Sequence, residues 1–135
     1  MRRCAAILAG VTMLTGPAWA GSGGADILNT LDQYMIAHAV AARCNHADGP
    51  GAATFQHKYL LVTARAAAAL KLLASDLAQP NIEKLIRSHY DEIDRRVGAV
   101  IAQESCEGSH VQQALQKYDT VANSDDTELA AGNAN

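Results

Sequence analysis

Five histidines and three cysteines are the side chains of this 135-residue chain best suited to chemistry. Imidazole nitrogens ligate zinc, copper or nickel, and three of them around one open coordination position make a catalytic or transport site. His46 lies two residues past Cys44 and His110 four past Cys106; His38 precedes Cys44 by six, and His57 follows the turn at Gly49-Pro50-Gly51. A bond between Cys44 and Cys106 draws all four histidines to one end of the molecule, together with Asp48, Glu104 and Glu107. His46, His110, His57 and His38 are therefore the candidate ligands for zinc or copper. The pattern around them is unspecific, since no His-x-x-x-His pair and no HExxH, CxxC or CxxCH motif occurs. A bland role competes for two of the five: His38 and His89 fall on apolar seams, where a histidine serves as a core or boundary group with a hydrogen-bond partner.

Catalysis without a metal finds little to work with. A nucleophile needs a base within hydrogen-bond reach, and Ser75, Ser88, Ser105 and Ser109 sit in no G-x-S-x-G elbow. The acids Asp91, Glu92 and Asp94 are followed directly by Arg95 and Arg96, which is the pattern of a solvated helix face. No glycine-rich phosphate loop is present. The expectation is a protein that is not an enzyme and needs no cofactor, zinc or copper being the one alternative.

The ends of the chain indicate where it works. Met1-Arg2-Arg3, the apolar run from Ala5 to Leu14 and the small residues through Ala18-Trp19-Ala20 have the layout of a secretory signal peptide, residues 1–20. That run is too short to span a bilayer, and Cys4 precedes it, which argues against a lipoprotein. Cleavage leaves nine Lys and Arg against fourteen Asp and Glu, a net charge of −5, and no second membrane segment. Scattered bases in an acidic chain exclude nucleic acid, which demands clustered Lys and Arg. Cys44 and Cys106 survive processing and reach an oxidising compartment, where a structural disulfide is the default.

The elements that must position these groups are helical. Leu28, Leu31, Met35, His38 and Ala42 mark a first helix ending near Cys44, before a turn cluster from Asn45 to Gly51. A second spans roughly Ala52 to Ala78, with a seam of Phe55, Tyr59, Val62, Ala66, Ala69, Leu73 and Leu77. The alanine block at 66–69 reads as packing; a lipid-binding face is disfavoured because Arg65, Lys71 and Asp76 interrupt it. A third starts at Gln79-Pro80-Asn81 and carries Ile82, Leu85, Ile86, His89, Ile93, Val97, Val100 and Ile101 inward. Ser109-His110-Val111-Gln112 has the form of a capping box for a shorter fourth helix with Val111, Leu115, Tyr118 and Val121 inward. From Asn123 the composition is that of a disordered acidic tail, residues 123–135.

Short turns between helices predict an all-α, antiparallel up-down bundle of three long helices plus a shorter fourth, stapled by one disulfide. Residues 21–122 form its single domain. In size, export, helicity and one disulfide the chain is similar to small periplasmic stress proteins such as acid-activated chaperones, and to helical inhibitor and immunity proteins of bacterial envelopes. That similarity carries no motif, so no residue role transfers. The leading expectation is a periplasmic or secreted non-enzymatic protein that binds another macromolecule, an envelope or secreted protein. The alternative is a periplasmic transition-metal-binding protein using the histidine-rich end.

Overall fold

A computed structural model of the chain describes residues 23–124. The signal peptide read at 1–20 and the tail from Asp125 onward lie outside the described residues. Four helices and no strands make up the rest: α1 (Gly23–Arg43), α2 (Ala52–Leu73), α3 (Gln79–Glu104) and α4 (Ser109–Asn123). They pack as the expected helical bundle. Among the described residues no helix is long and apolar enough to cross a membrane.

α1 is the axis on which the others pack. Leu31, Tyr34, Met35, Ala37, Ala39, Val40 and Ala41 are all buried, so the helix is enclosed on several sides along its second half. The expected seam placed Ala42 inward, but Ala42, in the last turn of α1, is exposed. Phe55, the only phenylalanine of the chain, joins three helices. Its ring stacks on Tyr34 of α1 at 5.6 Å between centroids and on Tyr118 of α4 at 4.2 Å.

α2 stops at Leu73, five residues short of the expected end, where Lys71 Nζ donates to the carbonyls of Ser75 and Leu77. A cation there is matched to the exposed carbonyls of a helix C-terminus. Leu73, assigned to the inner seam, is 66% exposed. α3 begins as predicted with proline in its first turn, but Leu85, His89 and Val100 of its expected inner face are exposed.

The N-terminus of α4 departs from its capping box. Gly108 is the N-cap and no side chain caps from that position. Glu104 reaches over from the end of α3 instead, its Oε2 accepting from the His110 backbone N–H at 3.4 Å. Gln112 turns away from the box and donates to the Cys106 carbonyl at 2.7 Å. Val111, Leu115, Tyr118 and Val121 are buried as expected. Asn123 is the last helical residue and Ser124 the C-cap.

The corner at Cys44 is built from local rules. α1 ends in a Schellman turn: Asn45 has φ 55°, and the His46 N–H donates to the Ala41 carbonyl at 2.8 Å. Asparagine tolerates that left-handed conformation better than most residues. Cys44 and Cys106 are bonded, with Cα atoms 5.8 Å apart, which places the ends of α1 and α3 side by side. Gly51 opens α2 because a Cβ there would sit 2.6 Å from that of Ala122. The last turn of α4 thus lies directly against the first turn of α2.

Candidate functional site

The four helices do not close evenly. α3 and α4 touch each other least of all the helix pairs, and between them, floored by α1, runs a groove with a cavity volume of about 280 Å³. Buried valines and an isoleucine form its floor: Val40 from α1, Ile93 and Val97 from α3, and Val111 from α4. Ile36, Val100 and Ala114 stand along its rims. From His89 to Val100 it follows about 16 Å of α3. The i, i+4, i+7 spacing of His89, Ile93 and Arg96 with Val97 and Val100 puts these side chains on one stripe. That stripe is apolar in the middle and charged beside it.

Hydrogen-bonded histidine–carboxylate pairs bracket the groove. His89 Nε2–H donates to Asp32 Oδ1 at 2.6 Å, tying α3 to α1. At the other end His110 Nδ1–H donates to Glu104 Oε1 at 2.6 Å. Arg96 pairs with Glu92 one turn below it on α3. Asp32 and Arg96 put one charge of each sign on the lining, so selection of a ligand by charge sign is weak. Apolar surface is the groove's main offer.

The histidines singled out from sequence have separate surroundings. His46 Nε2–H donates to Asp119 Oδ1 at 2.7 Å and binds the corner to α4. His110 holds Glu104, and His57 is exposed on α2. His38 is half-buried: its ring stacks on Tyr59 at 5.2 Å, and its Nδ1 lies 3.0 Å from the Tyr90 hydroxyl. Burial outweighs the nearby Asp94 carboxylate and pushes His38 below its ordinary pKa, and its Nδ1 shares a hydrogen bond with the Tyr90 hydroxyl. Among the described residues no three His, Cys, Asp or Glu side chains form a group able to hold a metal ion. His89 has a hydrogen-bond partner in Asp32 but is exposed, not a core or boundary group.

Two polar devices escaped sequence reasoning. Asp94, placed on the solvated face of α3, takes a two-pronged contact from Arg43 of α1, at 3.0 Å from Nε and 2.8 Å from Nη2. Hydrogen bonding to Arg43 holds the Asp94 carboxyl below its usual range. Gly98, one turn further on, makes room, since a Cβ there would lie 3.0 Å from the guanidinium carbon. The Tyr59 hydroxyl, desolvated and close to Tyr90, is pushed up to about 12.

Lys58 is the second device and is only 1% exposed. Its Nζ donates to the Ser124 carbonyl at 2.5 Å, to Ser124 Oγ at 2.6 Å and to the Val121 carbonyl at 3.5 Å. The spacing Phe55, Lys58, Val62 put it on the buried stripe of α2. That was the signal available, and it is overlooked when only apolar residues are counted.

Comparison with known proteins supplies no relative: the chain matches no protein-family model, no curated protein and no solved structure.

Proposed function

We propose that this is an exported, non-enzymatic protein that binds another macromolecule, taking an apolar segment of an envelope or secreted partner into the groove between α3 and α4. The observation that carries the reading is that groove: a cavity of about 280 Å³ along about 16 Å of α3, floored by buried valine and isoleucine side chains and exposing Ile36 and Val100 at its rims. Contiguous apolar surface rimmed by polar groups marks interaction sites, and a helix laid in such a groove is a recurring mode of recognition. The pairs Asp32 with His89 and Glu104 with His110 would set the ends of the bound segment. Capture of zinc or copper has less support, because the four candidate histidines engage Asp119, Glu104, Tyr90 and solvent separately.

The test is photo-crosslinking in the producing cells, with the crosslinker at Val100 or Ala114 in the groove and at exposed Lys117 on α4 as control. The same macromolecular adduct from both groove positions, absent from the control and lost when Ala114→Trp fills the groove, supports the reading. Adducts that are identical at Lys117, or none from either groove position, refute it.

A further inference from the structure

The outward face of α2 carries a second surface, independent of the groove. Helices on the outside of a bundle ordinarily turn a polar face to water, and one that is apolar all round is usually buried. α2 breaks that rule. Its exposed positions include Leu60, Leu61, Ala64, Ala68 and Leu72, a stripe at helical spacing broken by His57 and Lys71 and flanked by Arg65. Leu60 is 58% exposed and Leu72 86%, so the stripe presents large side chains over about 18 Å of helix. Leu73 extends it past the helix edge.

The charges of the same helix specify what would cover it. In its 22 residues α2 has no Asp or Glu, only Lys58, Arg65, Lys71 and His57. Lys58 is buried under the end of α4, whereas Arg65, Lys71 and His57 are at the surface. Asp76, in the turn that follows, is the single acid between Asp48 and Glu83. An acidic protein thus displays one face that is apolar and exclusively basic along its helix. A second copy of the chain would not complement it: the two-fold pairing that matches Leu60 with Leu72 and Ala64 with Ala68 centres on Ala66 and brings the two Arg65 side chains together. Leucines with arginine and lysine on the same face are the composition of a helix that lies in an anionic lipid interface.

We infer, against the sequence reading in which Arg65, Lys71 and Asp76 interrupt a lipid-binding face, that α2 docks the bundle peripherally on anionic phospholipid, its leucines entering the headgroup boundary and Arg65 meeting the lipid phosphates, while Lys71, held on the Ser75 and Leu77 carbonyls, adds its charge to the same face. Overall negative charge does not prevent this, because at physiological ionic strength charges beyond about 8 Å are screened and the local face dominates. α2 lines no part of the groove, so a membrane-bound bundle keeps the groove open to a partner. The docking does not depend on the groove having one.

Flotation of the full chain with vesicles of phosphatidylglycerol and phosphatidylethanolamine, against vesicles of phosphatidylcholine, tests the inference. Anionic vesicles bind the protein more tightly than neutral ones. The double variant Leu60→Gln/Leu72→Gln weakens binding tenfold or more, judged from the apolar area withdrawn. Arg65→Gln weakens it about fivefold, and added salt does the same. Both variants change exposed side chains only and retain residues 1–20, so binding through the apolar N-terminal run is unchanged by them. Equal binding of wild type and double variant overturns the inference. So does absence of binding to anionic vesicles, whether the variant then loses a self-association seen by sedimentation or loses capture of an acidic protein.

Discussion

Lys58→Met removes the charged group that is buried among the described residues while keeping most of the apolar stem, so it isolates what the ammonium does. That group ends α4: it donates to the Val121 and Ser124 carbonyls and to Ser124 Oγ, groups with no further turn of helix to bond. Hydrogen bonds from a charged donor contribute about 1.5 to 3 kcal/mol each, and a cation at a partly buried helix C-terminus up to about 2 kcal/mol. Desolvating the ammonium costs several kcal/mol in the other direction. Removal also leaves the Ser124 carbonyl without this donor, at about 1 to 3 kcal/mol, whereas the Val121 carbonyl still accepts from the Ser124 N–H and hydroxyl. The expected net loss is about 3 kcal/mol, which for a domain of this size lowers the melting temperature by roughly 12 to 24 °C. Thermal unfolding followed by circular dichroism gives the size, and amide exchange gives the place: protection falls first between Tyr118 and Ser124. An unchanged melting temperature, or a lowered one with those amides as protected as before, refutes the argument that Lys58 pins α4.

Two other outcomes follow from the fold. Replacing Cys44 and Cys106 by serine opens a crosslink spanning 62 residues and lowers stability by about 4 kcal/mol, measured by urea unfolding of the oxidised wild type and the variant; a loss below about 1 kcal/mol would mean that the Schellman turn and the His46–Asp119 contact hold the corner alone. His38 gives a pH dependence. Its pKa in the folded protein lies below the ordinary 6.5 because burial disfavours the charged ring, so the unfolded chain binds the proton more readily and stability falls as pH drops from about 6.5 through the folded value. His38→Gln keeps a hydrogen-bonding partner for Tyr90 and flattens that part of the stability curve. A slope identical in wild type and variant removes His38 as its source.

That acid response bears on the proposed function. Loosening at His38 would separate α1 from Tyr59 of α2 and Tyr90 of α3, the two rings that bracket it. If that separation exposes apolar surface, ANS fluorescence rises in the wild type as the pH falls and rises less in His38→Gln.

Much of this architecture is legible without coordinates. Apolar residues three and four apart locate every helix, proline and glycine clusters locate the turns, and two cysteines at the ends of the first and third helices fit only a topology that brings those ends together. The disulfide and the buried faces of α4 followed from such local rules because helix periodicity and loop closure depend on little beyond the neighbouring residues. The histidines show the limit of that reasoning. Nearness to a crosslink places a residue at one end of a bundle but leaves its azimuth open, and azimuth sent His46 to Asp119, His110 to Glu104 and His38 into an aromatic layer. The groove, the Arg43–Asp94 contact and the burial of Lys58 were decided only when helices from distant parts of the chain packed. Each depends on which faces meet and where a small residue such as Gly51 or Gly98 allows close approach. Pattern along one helix determines that it has an inner face; the volume and charge of its neighbours determine what that face encloses, and why the outer face of α2 stays apolar in water.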